Sequence, residues 1–270
     1  MGLFMEVEPL LRTNRLAARQ DGPRSDLIFE EIGLEVARGE IVCLLGASGC
    51  GKSSLLRTMA GLQPSSAGET LLGGMRVDAP CSEIGFVFQK PLLLPWLDLR
   101  GNIAFGLDLK CMPKLASSAR RARVEEALDE VGLRDAGTLY PAQLSGGMAQ
   151  RASLARTLAR RPSALLLDEP LGALDAITRL EMQQLLLELA ARHRMAVLWA
   201  THDIDEALFV ADRIMLMDRR PGRLAARWDV PGDRPRSPGS AELAALRGEI
   251  LGALSLVSGI VRRPEAAPLP

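Results

Sequence analysis

The sequence predicts an α/β fold with a mostly parallel central sheet, an N-terminal antiparallel β portion and an inserted α-helical subdomain. Short, uninterrupted apolar runs at 41–45, 164–167 and 196–200 are typical of parallel strands that are buried on both faces. From about residue 91 to 132 such runs are missing and helical spacing replaces them. A composition of 47% apolar but only 4% aromatic residues also favours an aliphatic α/β interior.

The first half of the chain alternates strand and helix signals. Residues 41–45 form a β-branched and aliphatic run between two glycines, which predicts a strand. Residues 52–60 have the pattern of a helix, which Gly61 should end. A further strand is predicted at 84–88, and a helix at 118–131.

The second half continues the alternation. A helix at 147–160 ends before Pro162, because the residue preceding a proline avoids helical geometry. An amphipathic helix is predicted at 176–193, between the apolar runs 164–167 and 196–200, and another strand at 213–217.

Domain organisation follows from a change of composition after Val230. Residues 1–230 are expected to form one domain, with a helical subdomain inserted at about 90–160. Residues 231–240 are rich in Pro, Gly, Arg and Ser and predict a linker, followed by a last helix at 241–254. The tail at 264–270 is expected to be disordered.

Composition and charge exclude several classes of function. The formal net charge is zero, which gives no electrostatic reason to expect nucleic acid as a partner. No apolar run reaches the ~20 residues that a membrane-spanning helix needs, and Glu6 and Glu8 argue against a secretory signal. The four cysteines lack paired metal-binding spacing, which predicts reduced thiols in a cytosolic protein.

A phosphate-binding loop is the first functional motif. A complete G-x-x-x-x-G-K-[ST] pattern follows a predicted strand and opens a predicted helix, the context that this motif requires. Backbone N–H groups and the helix N-terminus should bind phosphate, Lys52 should reach the β- and γ-phosphates, and Ser53 should bind Mg²⁺. The loop consists of Gly46, Ala47, Ser48, Gly49, Cys50, Gly51, Lys52 and Ser53, and Ser54 follows as a further nucleotide-binding candidate.

Cys50 has an unusual place in this loop. The helix N-terminus and Lys52 both favour a thiolate there, which would make the thiol reactive. The alternative is an inert small side chain.

Two strand ends carry candidate catalytic groups. Asp168 and Glu169 end an apolar run, where Asp168 could hold a Mg²⁺-bound water and Glu169 could accept a proton from the attacking water. His202 ends the next run, although a locally hydrogen-bonded histidine is the alternative interpretation. His193, between two arginines, is expected to be a solvated surface residue.

Taken together, the motifs resemble the ATP-binding subunits of ABC transporters over about residues 12–255. The phosphate loop resembles Walker A, and the run ending in Asp168 and Glu169 resembles Walker B. The Leu-Ser-Gly-Gly turn at 144–147 resembles the family's signature motif. Gln89 matches the Q-loop glutamine, Asp175 the D-loop and His202 the switch histidine.

The resemblance implies a mechanism and partners. Two subunits should pair head to tail as a homodimer, with ATP between one Walker A loop and the partner's Ser145, Gly146 and Gly147. Mg²⁺ should be held by Ser53, Gln89 and Asp168, and Asp175 should lie near the nucleotide. Integral membrane permease subunits, and indirectly a substrate-binding protein, are expected as partners of a peripheral protein on the cytoplasmic face of the inner membrane.

Further segments narrow the resemblance to nitrate, sulfonate and taurine importers. These are the apolar strip 90–97, the segment 102–106, the segment 201–207 after the switch histidine, and the turn 220–223. The strip could form a groove for a partner helix, or its leucines and Trp96 could fill the helical core. A soluble ABC-type ATPase and a non-hydrolysing regulatory homologue are the alternative functions.

Two features depart from the family pattern: the residues after the signature turn, and an aromatic residue missing upstream of the phosphate loop. Met148 replaces the family's usual signature glutamine, although methionine is common in the importer subfamily. Ala149 stands where that subfamily usually has a long polar residue, and this loss should loosen the ATP-bound interface slightly. No aromatic residue for stacking on adenine occurs between residues 15 and 24. Phe29 is the nearest candidate, and it lies in an apolar run that should bury it.

Overall fold

The computed structural model describes residues 9–20, 25–219, 221–234, 236 and 240–257. Glu6, Glu8, the 264–270 tail and part of the predicted linker lie outside the described residues. The strands are β1 (Leu11–Arg19), β2 (Leu27–Val36), β3 (Ile41–Leu45), β4 (Ala67–Leu72), β5 (Met75–Arg76), β6 (Ile84–Val87), β7 (Ala164–Asp168), β8 (Ala196–Thr201), β9 (Arg213–Met217) and β10 (Leu224–Asp229). The α-helices are α1 (Lys52–Met59), α2 (Leu99–Leu107), α3 (Ser117–Glu130), α4 (Gly146–Leu158), α5 (Ala176–His193), α6 (Ile204–Val210) and α7 (Ala241–Val257).

The central sheet has the strand order β10-β9-β3-β8-β7-β6. All its neighbouring pairs are parallel except β10 with β9. This confirms the mostly parallel sheet, and it places the carboxyl ends of β3, β7 and β8 side by side. A second sheet, of order β2-β1-β4-β5, is antiparallel and contains the N-terminal strands, as predicted.

Both faces of the central sheet are covered, which explains the uninterrupted apolar runs. Along β3, Ile41, Cys43 and Leu45 pack into the core on the helical side, which includes α2–α5. Val42 and Leu44 point to the other core, which includes α1, β1 and β2. A strand that is buried on both faces needs an apolar residue at every position.

The inserted helices α2, α3 and α4 lie between β6 and β7 in the chain and pack on one another. Helix α1 ends where the sequence predicts, because Gly61 has a positive φ of 70°, and a Cβ there would lie 2.5 Å from the backbone of Ala79. None of the helices in the described ranges is long and apolar enough to cross a membrane.

Candidate functional site

The phosphate loop joins the buried strand β3 to α1. Lys52, the first residue of α1, is only 4% exposed, and its Nζ donates hydrogen bonds to the carbonyls of Gly46 (2.7 Å) and Ala47 (3.3 Å). Gly51 precedes the helix with φ 112°, and no side chain caps it. The first N–H groups of α1 therefore lack a side-chain acceptor, which is the arrangement that binds phosphate at a helix N-terminus.

The end of β9 and the turn that follows it pack against the phosphate loop. The sequence analysis did not predict this contact. A Cβ at Gly46 would lie 2.8 Å from the Met217 carbonyl oxygen, and a Cβ at Gly222 would lie 2.6 Å from the Cys50 carbonyl oxygen. Gly222 also pairs with β2, donating from its N–H to the Ile28 carbonyl. The sequence motif at 220–223 indicates a turn, but it does not indicate which part of the protein the turn packs against.

The acidic pair lies at the end of β7, directly beside the phosphate loop. Ser53 Oγ donates a 2.7 Å hydrogen bond to Oδ1 of the buried Asp168. Burial raises the pKa of the Asp168 carboxyl, and the hydrogen bond from Ser53 partly opposes this rise. A hydroxyl and a carboxylate that converge in this way offer two oxygen ligands to one hard cation.

Glu169 lies between two cationic or protonatable groups. Its Oε1 is 3.7 Å from Lys52 Nζ, and its Oε2 is 3.2 Å from His202 Nδ1. The residue has a positive φ of 45°, and its N–H donates to the Ala200 carbonyl of the neighbouring strand β8. A non-glycine residue in this conformation is uncommon, and such strain is concentrated at functional sites.

The structure thus brings together Lys52, Ser53, Asp168, Glu169 and His202. The exposed Gln89 follows β6, and a Cβ added at Gly172, in the loop after Glu169, would lie 3.9 Å from its Nε2. Gln89 therefore lies close to the acidic loop. His193 is exposed and pairs with Glu130 at 2.8 Å, away from these groups.

The signature turn is not joined to this cluster within one chain. Ser145 is exposed and caps α4, accepting a hydrogen bond from the Met148 N–H. Among the described residues, no hydrogen bond or ion pair links 145–147 to the phosphate loop. The neighbours of the turn are instead at the start of α5, because a Cβ at Gly147 would lie 2.6 Å from Thr178 Cγ2, and Asp175 caps that helix.

Burial decides between the two interpretations of Cys50. The residue is 3% exposed, and desolvation raises the pKa of its thiol more than the charge of Lys52 and the local hydrogen bonds lower it. The reactive-thiolate interpretation is therefore contradicted, because the local charges were visible in sequence while the packing around the sulfur was not. The structure supports the alternative, an inert small side chain.

We expect Cys50 to react with a maleimide at least about tenfold more slowly than Cys81, which is half-buried in the same chain. The reason is that both low exposure and a raised pKa reduce the accessible thiolate at neutral pH. Peptide mass spectrometry over a labelling time course measures both rates in one sample. Equal rates for the two thiols would contradict this interpretation.

The apolar strip after β6 divides between core and surface. Leu93 packs against the core, while Leu92 is exposed and Trp96 is 69% exposed. Arg156 of α4 holds the strip by donating to the Leu92 and Pro91 carbonyls. An apolar groove of about 240 Å³ lies beside it, lined partly by Leu62, Phe88, Phe105 and Leu109.

Comparisons with known proteins agree with this geometry. The family model described as "ABC transporter" matches residues 29–172. An aliphatic sulfonates import ATP-binding protein of Xanthomonas axonopodis pv. citri is 48% identical over 241 residues, covering 88% of this chain and 94% of the relative. A protein of the same name from Pseudomonas putida is 44% identical and covers 100% of this chain and 97% of its own length.

Solved structures show the same fold. A subunit of an ABC transporter complex from Clostridium perfringens superposes with a TM-score of 0.74 at 25% identity, covering 92% of this chain and 94% of that chain. A dimeric ATP-binding cassette bound to ADP and phosphate gives a TM-score of 0.71 at 29% identity, covering 83% and 100%. The chain therefore belongs to the ABC transporter family, as one of its ATP-binding subunits.

Proposed function

We propose that this chain hydrolyses ATP to energise the import of aliphatic sulfonates through a membrane permease. The observation that carries the proposal is the position of Glu169 between Lys52 and His202, next to the Asp168–Ser53 pair. The substrate class is supported by the names of relatives that match nearly the whole chain. Nitrate-like and taurine-like solutes, which the sequence motifs left open, become the alternatives for the uptake assay.

Each polar group of the cluster has one task in hydrolysis. Lys52 and the N–H groups at the start of α1 bind the phosphates and offset their negative charge. Glu169 orients the attacking water and accepts its proton, while His202, 3.2 Å from the Glu169 carboxylate, holds that carboxylate in place. Because Glu169 Oε1 lies 3.7 Å from Lys52 Nζ, a bound phosphate would compete with this carboxylate for the Lys52 amine.

The residues also fit a magnesium ion. Oxygen ligands suit this hard cation, and the Ser53 hydroxyl and Asp168 carboxylate converge within 2.7 Å of each other. Ser53, Asp168 and Gln89 would hold the ion, whose charge would offset that of the phosphates. The cost of keeping Asp168 ionised in its buried position would fall when a cation is bound.

The second half of the site is proposed to come from a second copy of the chain. Ser145 and Gly146 are exposed at the start of α4, where free N–H groups favour an anion. Dimeric cassettes among the similar structures support this arrangement. Asp175 would face the same interface, because it caps α5 next to the signature turn.

The membrane partner is proposed to dock on the apolar groove between α2 and α4. Phe105 and Leu109 line this groove and are both exposed, and Trp96, in the segment before α2, is exposed as well. A helix of the permease that presents apolar side chains would cover these residues. The chain would then lie on the cytoplasmic face of the inner membrane, and a separate binding protein would deliver the solute.

Uptake by proteoliposomes tests the proposal. The chain is reconstituted with the permease that co-purifies from its own membranes, and ATP-dependent uptake of radiolabelled butanesulfonate, nitrate and taurine is compared. We expect ATP-dependent uptake of the sulfonate. A Trp96→Ala/Phe105→Ala double variant should lose this uptake but still bind ATP. Recovery of a nucleic-acid complex in place of a permease would favour the soluble ATPase instead.

Base selectivity is expected to be weak, so that ATP and GTP give kcat/KM values within about tenfold of each other. Phe29, the candidate aromatic residue, is fully buried, so its ring is not available to stack on adenine. Such stacking would contribute ~1–3 kcal/mol to nucleotide binding. The Arg15 guanidinium is already paired with Glu31, and Arg19 donates to the Ser25 carbonyl. Steady-state hydrolysis of both nucleotides measures the ratio, and a larger preference for ATP would show that another residue, or the permease, reads the base.

A further inference from the structure

One arginine of helix α5 contacts two segments at the edge of the nucleotide site. The Nη2 of Arg179 donates a 3.1 Å hydrogen bond to the carbonyl of Leu174, and its Nη1 lies 3.6 Å from Oδ2 of Asp203. Leu174 belongs to the loop between β7 and α5, and Asp203 directly follows His202. One guanidinium therefore joins this loop to the residue next to the histidine.

Asp203 is fixed to the start of α6 by its other carboxylate oxygen. Its Oδ1 accepts hydrogen bonds from the N–H groups of Asp205 (2.9 Å) and Glu206 (3.1 Å), which makes Asp203 the N-cap of α6. The Asp203 N–H donates to Thr201 Oγ1 at 3.1 Å, across His202. Because these bonds fix the residues on both sides of His202, a shift of the Asp203 carboxylate would move the backbone that carries the imidazole.

His202 needs such support more than the groups around it. The Lys52 side chain is 4% exposed and that of Glu169 is 20% exposed, whereas that of His202 is 56% exposed. Packing restrains an exposed side chain less than a buried one. The 3.2 Å contact between His202 Nδ1 and Glu169 Oε2 therefore depends strongly on the placement of the His202 backbone.

The loop at the other end of the guanidinium is itself fixed. Leu174 packs against the core, and its N–H donates to the Leu171 carbonyl at 3.1 Å. An isolated exposed ion pair contributes little, partly because ordering two long side chains costs entropy. The Leu174 carbonyl already orders Arg179, so its pair with Asp203 adds little to that cost.

We propose that Arg179 is a positioning residue for ATP hydrolysis, which holds His202 against Glu169 by acting through Asp203. A planar guanidinium suits this task because it presents N–H donors to both partners in a fixed geometry. The inference goes beyond the proposed function but rests on one part of it, the role of His202 in hydrolysis.

Steady-state hydrolysis by the purified full-length chain tests the effect on catalysis. We expect Arg179→Ala to lower kcat at least about fivefold and to leave KM within about twofold, because a misplaced histidine slows the reaction while the proposed phosphate contacts of Lys52 are unchanged. Asp203→Asn should have the same effect, since asparagine still caps α6 but offers no charge to Arg179. The double variant should be no slower than either single variant, because both remove one interaction.

Arg247→Ala is the matched control. Arg247 of α7 pairs with Asp205 of α6 at 2.7 Å, so this variant also removes an exposed ion pair to the start of α6. It leaves the contacts of Asp203 intact, and it should therefore keep the kcat of the wild type.

The chain has two histidines, which give a readout that does not depend on turnover. His193 lies at the other end of α5, roughly 20 Å from Arg179 along the helix axis, so it reports whether that helix is intact. Proton–nitrogen correlation spectra of the imidazoles are recorded on the chain labelled with ¹⁵N-histidine, without nucleotide. We expect Arg179→Ala and Asp203→Asn to shift or broaden the His202 signals and to leave those of His193 unchanged, and Arg247→Ala to leave both unchanged.

Unchanged His202 signals in both variants, or equal changes at both histidines, would overturn the positioning role, as would additive losses of kcat in the double variant. A His202→Ala variant separates this inference from the proposed function. Wild-type kcat in His202→Ala would contradict the proposed role of His202, and with it the effect of Arg179 on hydrolysis. Loss of kcat in His202→Ala with none in Arg179→Ala would contradict the role of Arg179 alone.

Discussion

Replacement of Glu169 by Gln is expected to lower the rate of ATP hydrolysis by about 10²–10⁴-fold while ATP binding is retained. Gln keeps the shape and the hydrogen-bonding capacity of the side chain but cannot accept the proton of the attacking water. Lys52, Ser53 and the α1 N–H groups, which we propose bind the phosphates, are unchanged. Loss of the carboxylate also frees Lys52 from its 3.7 Å contact, so affinity for ATP should stay equal or rise.

Single-turnover hydrolysis and equilibrium binding of a fluorescent ATP analogue separate these two effects. The variant should also accumulate as a nucleotide-bound dimer in size-exclusion chromatography, because the γ-phosphate that holds the dimer is not removed. Glu188→Gln, an exposed residue on α5, serves as the control and should hydrolyse ATP at the wild-type rate. A Glu169→Gln variant within a factor of two of wild type would rule out the assigned role.

Mixing two inactive variants is expected to restore ATPase activity if the site is completed in trans. Lys52→Ala removes the phosphate-binding amine, and Ser145→Arg blocks the exposed signature turn. In a head-to-tail heterodimer one site carries both changes and the other carries neither. If the two variant subunits exchange freely at equal concentrations, about a quarter of all ATP sites would carry neither substitution.

The matched control places both substitutions on one chain and mixes it with the wild type. Each site of that heterodimer carries one change, so only wild-type homodimers remain active and no activity is gained. ATPase rates across mixing ratios distinguish the two cases, and cross-linking verifies that heterodimers form. Absence of rescue at every ratio in verified heterodimers would argue against completion in trans.

The site could be predicted from sequence to an unusual extent, because its residues follow strand ends. Asp168, Glu169 and His202 each follow an apolar run, and parallel pairing of β3, β7 and β8 brings them to Lys52. The geometry of the site therefore depends on the local structure of each motif and on one topological rule, which is that the carboxyl ends of parallel strands meet at the same edge of the sheet. The signature turn was also identified correctly as a motif that does not meet the phosphate loop within one chain.

Elements at the edge of the fold were harder to locate. Strand β1 alternates poorly and changes register near Arg15, which has a positive φ, and α2 contains Gly101 and Gly106 within a single helix. Neither has the periodicity that sequence reasoning depends on. Trp96 could not be assigned to core or surface beforehand, because the same apolar strip satisfies both patterns.

The sequence by itself determined the central strands, the phosphate loop and the candidate catalytic groups, since each depends on residues adjacent in the chain. Only the tertiary structure decided that the Cys50 side chain is buried and that Gly222 packs against the phosphate loop. Those properties depend on desolvation and on close approach between distant segments. Both are set by what packs around a side chain, and a linear motif carries no record of that packing.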